Sequence, residues 1–161
     1  KQKRYDLAEA EFKKVLEINP KNASALNYLG YMLADRNVRV PEALEMIRQA
    51  VEMEPNNGAY LDSLGWAYFR TGDLEQAENY LRRAIERFSK DPTVHDHLGD
   101  VYFRQGRTKE AISQWERSLQ EWNHASPTES DPVEIAKVQK KLEGGKVGLA
   151  KESAPANSKQ Q

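Results

Sequence analysis

Apolar residues in this chain recur at helical spacing. Leu26, Leu29, Gly30 and Leu33 fall at i, i+3, i+4 and i+7, one face of an α-helix. Ala43, Ile47, Ala50 and Val51 trace a second such stripe. The same two-helix pattern then returns. Leu26 to Leu33 aligns with Leu61 to Tyr68 and with His95 to Tyr102, and the Leu-Gly pairs place Gly30, Gly65 and Gly99 in register, 35 and 34 residues apart. Behind each pair come Leu33, Tyr68 or Tyr102, then Ala43, Ala77 or Ala111. Four positions on stand Ile47, Leu81 or Trp115, and Ala50, Ala84 or Ser118 closes the unit. A glycine inside a helix costs about 1 kcal/mol relative to Ala, so three at one register predict a close approach between paired helices. Trp115 is expected in the core, where Ile47 and Leu81 stand in the earlier units.

The breaks between stripes carry turn chemistry. Gly72 and Gly106 lie where a left-handed residue is expected between the two helices of a unit. Asp73 and Gln76 then have the spacing of a capping box. Between the first pair of helices Asp35 to Pro41 is one residue longer and lacks glycine, which predicts a longer loop with Pro41 in the first turn of the next helix. Pro92 is placed to open another.

A 34-residue helix–turn–helix period of this kind resembles the tetratricopeptide repeat. The resemblance runs from Ala23 to about Trp122, and Tyr5 to Pro20 matches the second helix of a preceding copy whose first helix is missing. It implies an all-α fold, a right-handed superhelical solenoid of antiparallel helix pairs. The expected divisions are a truncated repeat at 1–22, repeats at 23–56, 57–91 and 92–125, a capping helix at 131–145 and a flexible tail at 146–161. Asp131-Pro132-Val133-Glu134 reads as the start of that capping helix, Ile135, Val138 and Leu142 as its stripe, and Gly144-Gly145 as its end. The stretches Leu26 to Arg36 and Tyr60 to Arg70 are further similar to the C-terminal repeats of longer bacterial members, several of them envelope lipoproteins or assembly adaptors. That implies a piece of a longer protein, with the periplasm or outer membrane favoured over the cytoplasm.

Charge and composition remove other classes. The 161 residues carry 24 Lys and Arg against 25 Asp and Glu, a net charge of -1 that argues against a general nucleic-acid or membrane binder. The middle, residues 23–130, is acidic, while the ends are mildly basic. Mean hydropathy is -0.84, suited to an elongated protein with a thin core. No apolar run approaches the ~18 residues of a membrane span, and with no cysteine there is no disulfide or thiolate chemistry. His95 and His97 point about 200° apart on a helix and cannot share an ion; His95 is expected to pack against its neighbouring helix. Asp96 and Asp100 read as surface neighbours with no apolar pocket to raise a pKa. No catalytic residue, metal site or cofactor is expected, so enzymatic chemistry would have to come from another domain.

The family resemblance implies a ligand groove lined by the first helix of each repeat. Its groove positions map to Asn27, Tyr31, Ala34 and Asp35, then Asp62, Trp66, Phe69 and Arg70, then Asp96, Asp100, Phe103 and Arg104. Members that clamp a chaperone's C-terminal carboxylate use Lys and Asn at several of these places. Asp62 and Asp96 stand where such a Lys would be, so carboxylate clamping is not expected. The aromatic strip Tyr31, Trp66, Phe69 and Phe103, flanked by carboxylates and two arginines, suits an apolar helix or extended peptide with basic flanks. The same residues could instead pack between repeats. The function expected is a non-catalytic scaffold that holds another protein within a bacterial assembly. The alternatives are an envelope adaptor delivering a substrate to an enzyme, or a permanent structural subunit of a large complex.

Overall fold

The computed structural model describes residues 1–154, and within them the chain is all-helical, with eight helices. They are α1 (Gln2–Ile18), α2 (Ala23–Asp35), α3 (Val40–Met53), α4 (Gly58–Thr71), α5 (Leu74–Arg87), α6 (Pro92–Arg104), α7 (Thr108–His124) and α8 (Pro132–Ser153). They fall into two compact units, Lys1–Lys90 and the chain from Asp91 onward.

In the first unit α2 packs on α3 and α4, α3 on α4, α4 on α5, and α1 lies against α2. The core is built from the stripe residues: Leu29, Leu33, Ala43, Ile47, Leu64 and Ala67 are buried together, with Phe12 and Leu16 of α1 against them. In the second unit α6 pairs with α7, and α8 lies along α7. Each in-register glycine faces the large residue of its partner helix. A Cβ would lie 2.6 Å from Ile47 Cγ1 at Gly30, 2.6 Å from Leu81 Cγ at Gly65 and 2.5 Å from Trp115 Cδ1 at Gly99. The knob in each pair is therefore Ile47, Leu81 or Trp115, and Trp115 is buried in the core.

The turns inside the pairs share one closure. Gly72 (φ 86°) and Gly106 (φ 78°) are left-handed. The following amides of Asp73 and Arg107 donate back to the carbonyls of Tyr68 and Tyr102. In the longer loop Asn37 (φ 55°) takes the glycine's place and Val38 N–H donates to Leu33 O. The added residue, Arg39, is left-handed as well (φ 47°) and caps α3, which carries Pro41 in its first turn. The Asp73 side chain accepts from Gln76 N–H. The return bond of a capping box has no free donor, because the Asp73 amide is already bound to Tyr68 O.

The structure corrects the C-terminal reading. Asp131 caps α8 by accepting from Val133 and Glu134 N–H. Gly144 and Gly145 do not end this helix, which continues to Ser153. Residues 146–153, expected as tail, are therefore helical and Ala154 caps them, while the remaining residues of the expected tail, 155–161, lie outside the described residues. Gly145 is a packing glycine instead: a Cβ there would stand 3.1 Å from Trp115 Cζ3 and 3.3 Å from Ile112 Cγ1.

Candidate functional site

In the first unit the groove-register residues come from α2 and α4, and several are tied to one another. The indole N–H of Trp66 donates to Asp35 Oδ1 at 3.2 Å. Arg70 donates to the Asp35 carbonyl at 2.8 Å, lies 3.8 Å from its carboxylate and places its guanidinium 4.9 Å from the centre of the Trp66 ring. Phe69 stacks on Trp66, with the ring centroids 4.7 Å apart. Asp35, Trp66, Phe69 and Arg70 thus form one network joining the end of α2 to α4. Trp66 and Phe69 are only 6% and 8% exposed, so the expected exposed strip is not present at these two positions. Their rings serve packing, as aromatic area at a helix contact favours. Asn27 is buried, with its Oδ1 lacking a hydrogen-bond partner. Tyr31 and Asp62 are half-buried.

In the second unit Asp96, Asp100, Phe103 and Arg104 follow at i, i+4, i+7 and i+8 along one face of α6. Phe103 is half-exposed at 51%, its ring centre 5.7 Å from that of Trp115, and Arg104 is exposed. The two carboxylates are not free surface neighbours. Lys141 of α8 places its ammonium 2.9 Å from Asp96 Oδ1 and 2.9 Å from Asp100 Oδ2, bridging them. Trp115 donates its indole N–H to Asp100 Oδ1. The carboxylate side chains are only 12% and 15% exposed.

Desolvation therefore governs the electrostatics here. Burial, and then the Asp96 carboxylate, push Asp100 above the usual carboxylate range; Lys141 and His97 pull the other way without cancelling them. Burial alone would lower the Lys141 ammonium. The attraction of Asp100 and Asp96, with its two hydrogen bonds, raises it instead. The expectation that nothing near this pair could raise a pKa is thus overturned: one face of α6 is covered by α7 and α8. Lys141 itself was readable. Val138, Lys141, Leu142 and Gly145 fall at i, i+3, i+4 and i+7, so a lysine sits inside the buried register of the capping helix.

His95 packs as expected, buried with Nδ1 2.8 Å from Gln114 Oε1. Among the described residues no group of three or more His, Cys, Asp or Glu is placed to hold a metal, and no helix is long and apolar enough to cross a membrane. Where α7 gives way to α8 a cleft of about 430 Å³ is lined by Leu119, Trp122, Pro127 and Ile135, among others. Trp122 therefore faces the root of the capping helix.

Known proteins share both the repeat and the fold. The TPR repeat-containing protein PA4667 of Pseudomonas aeruginosa is 48% identical over 81 residues, which are 49% of this chain and 14% of that protein. The chain thus spans only a small part of that relative. Among solved structures, MamA (residues 41 to the end) from Desulfovibrio magneticus superposes with a TM-score of 0.66 at 22% identity, over 78% of this chain and 70% of that one. The Sgt2 TPR domain from Aspergillus fumigatus gives 0.70 at 20% identity over 86% and 89%. The first TPR of Spaghetti (RPAP3), solved with the HSP90 peptide SRMEEVD, gives 0.65 at 19% over 80% and 93%. The tetratricopeptide repeat profile matches residues 1–62 and 63–130. With the helix-pair period, the packed glycines and these matches in agreement, the chain belongs to the tetratricopeptide repeat family.

Proposed function

We propose that the chain is a non-catalytic scaffold that binds a helix or extended segment of another protein along the first helices of its repeats, as a module of a bacterial assembly. The observation that carries this reading is Phe103. It is an aromatic residue left half-exposed on α6, in helical register with two carboxylates and an arginine. Aromatic and Arg side chains are the types that dominate binding hot spots. The bacterial setting draws on the Pseudomonas relative. The partner's chemistry follows from charge. The RPAP3 module holds a peptide ending Glu-Glu-Val-Asp, whereas the middle of this chain is acidic and Asp96 and Asp100 on α6 require a cation, supplied here by Lys141. A partner with basic flanks fits that surface, and an acidic tail does not.

The test compares proteins retained from a bacterial lysate by the wild-type chain and by a Tyr31→Ala/Phe103→Ala chain, with folding checked by circular dichroism. Trp66 is left unchanged in this comparison, because Ala at a buried ring would open a cavity and confuse folding with binding. Loss of a client from the double variant, at more than about 1 kcal/mol for Phe103, supports the reading. Equal retention by both folded chains rejects this face as the contact.

A further inference from the structure

α8 is held less firmly than a 22-residue helix could be. Only Val138 and Gly145 are buried along its whole length. Three glycines interrupt its second half, and two of them, Gly144 and Gly148, have open space where a Cβ would stand. Packing explains Gly145 but not the other two, and each weakens the helix. The root of α8 borders the cleft lined by Trp122, Pro127 and Ile135. Elements with few buried groups and weak helical propensity are those that open locally, ahead of the rest of a domain.

Beneath this helix lies a surface with strict demands. Asp96 and Asp100 share the Lys141 ammonium in a largely desolvated position. Carboxylates taken out of water need a cation in place, so an apolar or acidic segment cannot substitute for α8. The Trp115 ring edge, met by Gly145, admits only a small residue. The face thus reads a helix with a short apolar residue, a basic residue three positions on and a small residue four beyond that. Val138, Lys141 and Gly145 supply that pattern from within the chain.

We propose that the α6–α7 face is a receptor for a basic amphipathic helix of a partner protein, and that α8 is its resident, displaceable occupant. The inference rests on the interaction reading above and adds a gate to it: the part of the site holding Asp96 and Asp100 opens only to a segment that brings its own ammonium or guanidinium. A partner helix and α8 then compete for one site, and the occupancy of each is set by their relative affinity and by the high effective concentration of the tethered helix.

The test uses the full chain and, as probe, a fluorescent peptide of residues 131–153. In the wild-type chain, hydrogen exchange at 132–153 is expected to run at least 100-fold faster than at 94–102 of α6. Lys141→Glu sets a third carboxylate against Asp96 and Asp100 and frees the tethered helix. The peptide is then expected to bind this chain at least tenfold more tightly than wild type, and a peptide carrying the same Lys141→Glu change to bind neither. Should that variant not fold, Lys141→Gln, which removes the ammonium without adding a carboxylate, takes its place in the same peptide titration. Equal exchange in α8 and α6, absence of peptide binding to a folded Lys141→Glu chain, or equal binding of both peptides each overturns the proposal. Because the probe is the chain's own helix, such a failure leaves the Phe103 reading standing; loss of that reading in the lysate comparison would not alter these results.

Discussion

A Cβ at Gly65 would stand 2.6 Å from Leu81 Cγ and 3.1 Å from the Leu81 backbone nitrogen, while at Gly144 it would meet nothing within 4 Å. The same substitution should therefore have opposite signs at the two positions. Gly65→Ala gains helix propensity but forces α4 away from α5, and overpacking of this kind costs about 1–3 kcal/mol. Gly144→Ala removes backbone freedom from the unfolded chain at no steric cost, and should stabilise α8 by about 0.5–1 kcal/mol. Urea titration of the two variants followed by circular dichroism checks both. The register of Gly30, Gly65 and Gly99 was legible in the sequence because three copies made the steric need visible. Gly145 was not: next to Gly144 it looked like a helix stop, and only the Trp115 ring beside it explains its place. Propensity reads one residue against its neighbours in sequence, whereas this glycine answers to a side chain thirty positions earlier.

At the level of elements, α1 is the most exposed of the helices. It has no buried residue, and Leu7 and Ile18 are left open to solvent. Polar ties hold it beside the packing of Phe12 and Leu16. Glu9 pairs with Arg39 in the longer loop, Arg36 donates to Gln2 and lies over the Tyr5 ring. Hydrogen bonds from Arg39 and then Lys13 hold the Glu9 carboxyl below its ordinary value of 4.5. A carboxyl whose folded pKa is depressed stabilises the fold above its unfolded pKa, and that contribution is lost as pH falls through the folded value. The Glu9 side chain is partly buried, but its Arg39 partner is open to solvent, so the effect on stability is small, while the titration itself is measurable. Carbon-13 NMR should place the Glu9 midpoint below 4.5 and show it move upward in an Arg39→Gln chain. An unmoved midpoint would mean that the Arg39 contact does not persist in solution. The periodicity of α1 showed that the helix exists. It could not show this anchor, because the partner comes from a loop whose extra left-handed residue, Arg39, turns the guanidinium back.

Across the molecule, burial rises and falls in a way that predicts the order of opening. α4 has nine buried residues and α6 eight, against none in α1 and two in α8. In repeat proteins each element is stabilised by its immediate neighbours, so loss at an end need not unfold the middle. Native-state hydrogen exchange should therefore show protection highest in α4 and α6 and lowest in α1 and α8. The helical repeat that fixed the architecture left this gradient hidden, since the stripes in α2, α4 and α6 look alike along the chain. It also hid the division of labour among the groove residues. Trp66 and Phe103 stand in neighbouring repeats and both read as ligand contacts, yet one ring is sealed by Asp35, Phe69 and Arg70 while the other remains open. Substitution should separate them by what it changes. Trp66→Ala should lower the denaturation midpoint by an amount matching about 3–5 kcal/mol, the cost of emptying a buried aromatic site. Phe103→Ala should stay within about 0.5 kcal/mol of wild type, as surface changes usually do, and lose only binding. If Phe103→Ala instead destabilises the chain as much as Trp66→Ala, its contact with Trp115 is structural and α6 offers no aromatic anchor to a partner.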